Sequence, residues 1–220
     1  MDDRALNRVV MGALQQELQA PRTERLEVLE LGAGVGTMIS RLSDWGLLGN
    51  ARCTLVDRDE KSLQAARAHL LARQPIPTLQ QGGCVRGEDV ALTFAESDIF
   101  SFLRDSRERY DLVMANAVLD LLHVPTLLNA LKGVTSPRAL LWFTINFDGE
   151  TIFLPELPLD VAVMSLYHRS MDLRARDGVS CGDSKAGRHL LQHLHDAGAR
   201  TLEAGSSDWV VFPTEGGHRR

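Results

Sequence analysis

The chain has 220 residues, 44% of them hydrophobic and 24% charged, and a formal net charge of -5. This composition excludes disordered and fibrous classes, and the length suits a single domain, 1–220, with local insertions. Acids and bases are interspersed, so there is no basic face to grip a phosphate backbone, and no nucleic-acid partner is expected.

The polar start Met1-Asp2-Asp3-Arg4 does not resemble a secretory signal. The longest apolar stretch, Ala139 to Ile145, is too short to cross a bilayer. A cytoplasmic protein with no membrane partner is expected. Within residues 1–20, Leu6, Val9, Val10, Leu14 and Leu18 recur at helical spacing and predict an amphipathic helix that Pro21 interrupts.

Short apolar runs then predict buried strands at Leu26–Leu31, Cys53–Val56, Val90–Phe94, Leu112–Ala115 and Leu140–Ile145. Helical segments at Thr37–Trp45, Glu60–Arg73 and Thr126–Lys132 separate most of them, the alternation of a doubly wound α/β sheet. The polar stretch around Gln81-Gly82-Gly83 and Arg86-Gly87-Glu88-Asp89 reads as a loop. Segment 147–181 reads as an insertion carrying a helix, Asp160–Arg174, with Val163, Leu166, Tyr167 and Met171 turned toward the body. A final helix is expected over Asp183–Ala197, capped by Asp183 or Ser184 and ended by Gly198. Thr201–Glu203 and Trp209–Phe212 would then form an antiparallel hairpin closing the sheet. Cys53, Cys84 and Cys181 are odd in number and far apart, which fits neither a disulfide framework nor a metal site.

The most informative stretch is Val28-Leu29-Glu30-Leu31-Gly32-Ala33-Gly34-Val35-Gly36-Thr37, a strand ending in alternating glycines that leads into a helix. Glycines at 32, 34 and 36 let the backbone turn tightly and approach a nucleotide-like ligand. A dinucleotide fingerprint starting at Gly32 would need glycine or alanine at position 37, where Thr37 stands; this counts against the alternative of an NAD(P)-dependent oxidoreductase.

The segment Glu30-Leu31-Gly32-Ala33-Gly34-Val35-Gly36-Thr37 resembles the first motif of the class I S-adenosylmethionine-dependent methyltransferases. The resemblance covers residues 25–146 well and the remainder loosely. It implies a Rossmann-like, mostly parallel seven-stranded sheet with a C-terminal antiparallel hairpin and helices on both faces. It further implies S-adenosylmethionine as cofactor, S-adenosylhomocysteine as product, and a cofactor site containing Glu30, Gly32, Ala33, Gly34 and Gly36. Asp57 stands where the family places an acid on the ribose hydroxyls, with Arg58 beside it. Asp98 and Ile99 stand at the adenine position, and the backbone of Ala115 and Asn116 beside the methionine moiety.

The acceptor is expected at the carboxyl ends of the strands, under a lid formed by 147–181. His168, with Asp172 four residues on to orient it, and His123 are the candidate general bases. Asn116-Ala117-Val118-Leu119 departs from the Asn-Pro-Pro-Tyr type found in base- and amide-methylating members, which leaves a small-molecule acceptor as the leading expectation. A non-catalytic scaffold that keeps the fold is the second alternative. The hairpin edge and the N-terminal helix are the candidate surfaces for a homodimer.

Overall fold

The computed structural model describes residues 6–20, 22–73, 78–80, 84–86, 90–176 and 179–207. Its first helix, α1 (Arg8–Leu18), starts at Asn7, whose side chain accepts from the N–H groups of Val9 and Val10 and so satisfies two of the helix's orphan donors.

Five strands form the parallel centre of the sheet: β1 (Leu26–Leu31), β2 (Ala51–Asp57), β5 (Val90–Glu96), β6 (Tyr110–Asn116) and β7 (Thr135–Thr144). Between β2 and β5, β3 (Thr78–Gln80) and β4 (Cys84–Arg86) add antiparallel strands at one edge, giving the order β3-β4-β5-β2-β1-β6-β7. The direction of winding reverses between β1 and β6, so their following loops face one another at the carboxyl edge.

The apolar runs in the central strands are continuous because both faces are covered. On one face Val28, Cys53, Leu55 and Met114 pack with Leu14 and Leu18 of α1, with α2 (Thr37–Asp44) and with α3 (Glu60–Arg73). On the other, Leu29, Leu31, Val56 and Val113 pack with α4 (Ile99–Asp105), α5 (Val124–Leu131) and α7 (Ala186–Asp196). An insertion between β7 and α7 carries α6 (Asp160–Asp172) and the small ladder of β8 (Ala175–Arg176) and β9 (Val179–Ser180).

The structure corrects the sequence reading at five places. The stretch read as a loop before the third central strand contains β3 and β4. Each is three residues long, too short for a period-2 pattern to show; β4 pairs with the backbone edge of β5, and β3 with β4. Thr201–Glu203 is not a strand, and Trp209–Phe212 lies outside the described residues, so the antiparallel part of the seven strands is not the expected C-terminal hairpin. Helix α4 was not foreseen, because seven residues hold too few turns to register as periodic.

The last helix begins at Ala186, with neither Asp183 nor Ser184 in the capping position. Asp183 instead accepts the Lys185 N–H in a turn, although Gly198 ends the helix in the expected left-handed conformation. In α6 only Met171 of the four anticipated core contacts is buried, while Val163, Leu166 and Tyr167 are exposed.

Candidate cofactor and acceptor site

The site grows from the ends of β1, β2, β5 and β6. Beyond β1, Gly32, Gly34 and Gly36 all take left-handed φ values, 65°, 54° and 72°. At Gly32 a Cβ would meet Val118 Cγ2 at 2.6 Å, so the loops after β1 and β6 are in direct apposition. At Gly36 a Cβ would meet Leu70 Cδ1 at 2.9 Å and Ala66 Cβ at 3.2 Å; this glycine lets the start of α2 seat against α3. A Cβ on Gly34 would meet nothing within 4 Å, so its backbone borders open space. Ala33 is buried, and its N–H continues the β1–β2 pairing to Val56 O at 3.0 Å.

Asp57, the last residue of β2, joins three strand ends. Its Oδ2 accepts from Gly34 N at 2.8 Å, its Oδ1 from Asp59 N at 2.9 Å, and its carbonyl from Ser97 N at 3.0 Å. Each carboxylate oxygen retains a second lone pair in that arrangement. Arg58 follows it at the exposed rim.

Glu30 is buried beneath the glycine loop, and its Oε2 has no hydrogen-bond partner. Burial, reinforced by the charge of Asp57, pushes its carboxyl up to about 8. Asp98 caps α4, its Oδ1 accepting from Phe100 N at 3.0 Å and Ser101 N at 3.2 Å, and Ile99 opens the helix.

At the end of β6, Ala115 is fully buried. Asn116 accepts the Thr144 hydroxyl at 2.5 Å, while its own buried Nδ2 has no partner. The next residue, Ala117, has φ 56° and Ile145 after β7 has φ 57°, two left-handed non-glycine residues side by side at the sheet's carboxyl edge. Such conformations persist only where surrounding contacts enforce them; here Ala117 N is tied to Thr144 O at 3.0 Å. Thr144 and Val118 were not singled out from the sequence. The available signal was their place at the ends of the fourth and fifth central strands.

Residues 29–143, more than half of the chain, match the methyltransferase-domain family. The chain belongs to that family. The fold agrees with human N-acetylserotonin methyltransferase in complex with SAM, which is 18% identical over 91% of this chain and 48% of its own, with a TM-score of 0.52. Two further solved structures are similar. The S-adenosylmethionine-dependent methyltransferase SibL in its apo form is 20% identical over 90% of this chain and 52% of its own, TM-score 0.49. The plantazolicin methyltransferase BpumL in complex with SAH is 18% identical over 66% of this chain and 48% of its own, TM-score 0.47. The chain therefore spans about half the length of these proteins. No curated protein matches it.

On this methyltransferase-domain frame the two candidate bases, His168 and His123, and the orienting Asp172 are not brought together. His123 precedes α5 on the surface, its Nδ1 2.7 Å from Thr126 Oγ1. With His189, His193, Cys181 and Asp183 it lines a cleft of about 250 Å³. A larger cleft of about 520 Å³ contains Arg52, Ala91 and Tyr110. It lies at the amino ends of β2, β5 and β6, away from the glycine loop.

His168 projects from α6 against Phe147 and Tyr167, with ring centroids 5.6 Å and 6.1 Å away, and its buried Nε2 has no partner. Asp172 does not hold that imidazole by a hydrogen bond: its Oδ1 accepts from Ser184 N at 2.8 Å. Those Ser184 bonds are the main reason its carboxyl lies below the usual carboxylate range, with the His168 charge a lesser one. Through Asp172, α6 is fastened to the segment leading into α7. Asp183 N reaches Asp120 O at 3.5 Å and Gly187 N reaches Phe147 O at 2.9 Å. The insertion, the loop after β6 and the start of α7 thus converge at the carboxyl edge. Among the described residues no group of three His, Cys, Asp or Glu side chains is placed to hold a metal, and no helix is long and apolar enough to cross a membrane.

Proposed function

We propose that the chain is an S-adenosylmethionine-dependent methyltransferase that transfers the methyl group directly, in line, to an O, N or other heteroatom of a small molecule. The observation that carries the reading is the Gly34–Asp57 brace within a chain whose residues 29–143 match the methyltransferase-domain family. Two buried polar atoms without partners, Glu30 Oε2 and Asn116 Nδ2, and the open space beside Gly34 fit a polar nucleoside-like occupant.

The cofactor, when bound, supplies an already electrophilic methyl on a sulfonium. The protein's work is then alignment and exclusion of water. In this reading the lone pairs of Asp57 accept from the two ribose hydroxyls, with Arg58 at the same rim. Asp98 and Ile99 border the adenine, the backbone of Gly32, Ala33, Gly34 and Gly36 together with Glu30 cradles the nucleoside, and Ala115 and Asn116 lie along the methionine part. The 147–181 insertion closes the acceptor side as a lid. For a hydroxyl or protonated amine, His168 is the leading proton acceptor and His123 the second; a free amine or thiolate needs positioning alone.

The net charge of -5 and the Asn116-Ala117-Val118-Leu119 sequence favour a small metabolite over nucleic acid as acceptor. Calorimetric titration with S-adenosylmethionine, S-adenosylhomocysteine and NADH, alongside Asp57→Ala, tests the reading. The two adenosyl compounds should bind the wild type and not the variant. Binding of NADH alone, or of nothing, would overturn it.

A further inference from the structure

Ten of the fifteen exposed large apolar residues among those described lie between positions 152 and 173, in and just before α6. Within that set Leu159, Val163, Leu166, Ser170 and Leu173 follow at intervals of 4, 3, 4 and 3 residues, the a/d spacing of a coiled-coil seam. Leu159 and Leu173 flank α6 in right-handed helical conformation, so the stripe runs unbroken past both of its ends. It is about 21 Å long at 1.5 Å per residue. Its four apolar members are 71%, 53%, 67% and 69% exposed, and it carries no charge.

The opposite face of α6 is already engaged: Met171 is buried, His168 packs on Phe147, and Asp172 bonds Ser184. An apolar stripe along a helix ordinarily faces a partner surface, and the body of the domain takes the other side of this one. We infer that two copies of this chain pair through α6, antiparallel about a two-fold axis at Leu166.

The three leucines of the seam are self-complementary in that arrangement. Leu166 stands seven residues from each end, so it meets its own copy while Leu159 meets Leu173 of the other chain. The four apolar seam residues, with the exposed Ile152, Phe153, Leu154 and Leu157 just before the helix, offer on the order of 1,000 Å² of surface, against roughly 800 Å² per partner in a standard interface and the few hundred Å² of apolar patch that monomers expose. A lipid surface fits less well, because α6 itself carries one basic residue, Arg169, where an interfacial helix presents a basic polar face. The inference is independent of the cofactor reading and is tested without cofactor.

Sedimentation velocity of the full chain should give a dimer, and Leu166→Glu, which sets two carboxylates against each other on the axis, should give a monomer with unchanged circular dichroism. With Cys84 and Cys181 replaced by Ser, Leu166→Cys should cross-link to itself on mild oxidation. Leu159→Cys should cross-link only when mixed with Leu173→Cys. A wild type that stays monomeric at every concentration would overturn the inference, as would a Leu166→Glu chain that keeps the dimer mass or a Leu159→Cys chain that joins itself. So would a monomer that floats with phosphatidylcholine–phosphatidylglycerol vesicles through Leu166, since the occupant would then be lipid.

Discussion

Gly34 donates its backbone N–H to Oδ2 of Asp57 across 2.8 Å, so the loop after β1 is held in shape by the carboxylate at the end of β2. The other oxygen of that carboxylate takes Asp59 N, so truncation leaves two N–H groups without their acceptor. Asp57→Ala should therefore destabilise the protein in the absence of any ligand, by about 1–3 kcal/mol given the usual worth of hydrogen bonds to charged groups. Asp57→Asn keeps one acceptor oxygen and should cost less. Urea unfolding of the three proteins without cofactor measures this. An unchanged midpoint for Asp57→Ala would mean the brace contributes nothing to the loop.

Two glycines of the same loop should fail in different ways. Alanine at position 36 would press on Leu70 and Ala66 and hold a φ of 72°, so Gly36→Ala should lose about 2–4 kcal/mol of stability. Alanine at position 34 meets open space and carries the backbone penalty alone, about 1 kcal/mol. In the proposed function that open space holds the nucleoside, so Gly34→Ala should weaken S-adenosylhomocysteine binding about tenfold or more while changing Tm little. Thermal unfolding and calorimetry on both variants separate packing from ligand approach.

The central strands were legible because they are buried on both faces and therefore read as continuous apolar runs. β1 matches its expected bounds, and α3 runs from Glu60 to Arg73 as the sequence predicts. The glycine spacing marked the turn after β1 for the same reason, since left-handed backbone is cheap only for glycine. Elements below that threshold were invisible: β4 exists through pairing with β5, and β3 through pairing with β4, rather than through their own pattern. The position of Asp57 was readable, but its bond to Gly34 was not, because a strand-end carboxylate shows no local sign of which loop it will meet. α6 misled in a different way: its apolar residues implied a core-facing helix, and most of them face solvent.

Glu30 should make stability depend on pH in the neutral range. Burial and the Asp57 charge raise its folded carboxyl to about 8, against an ordinary value of 4.5. Below 4.5 the group is protonated in both states and its contribution is fully present. Between 4.5 and 8 the unfolded chain gives up the proton while the folded one keeps it, so stability falls as pH rises through that window. Glu30→Gln keeps the shape of the protonated acid and cannot ionise, so its denaturant midpoint should vary less between pH 5 and 8.5 and exceed the wild type's at the upper end. Parallel pH curves would show that Glu30 is ionised in the folded protein.

His168 and His123 differ in a way that assigns them separable consequences. Nε2 of His168 is buried beside Phe147 and Tyr167 without a partner, a state that leaves an unmet hydrogen bond until something supplies one. His123 is exposed and already engaged with Thr126. If His168 takes the acceptor's proton, His168→Gln should lower kcat by about 10²–10⁴ with KM nearly held, the usual worth of a positioned base. His123→Gln should leave both within about twofold, as expected for a replaceable surface group. A purely structural His168 would show itself as a lower Tm and a raised KM with kcat maintained. The comparison needs an accepted small molecule, found by following S-adenosylhomocysteine release. Asp172→Ala in the same assay should reduce Tm through the lost Ser184 bond and lower kcat far less than His168→Gln, because its carboxylate is fastened to the α7 side and not to the imidazole. A loss of kcat as large as that of His168→Gln would mean that the two residues act as one unit after all, with the acceptor drawing Asp172 onto the ring.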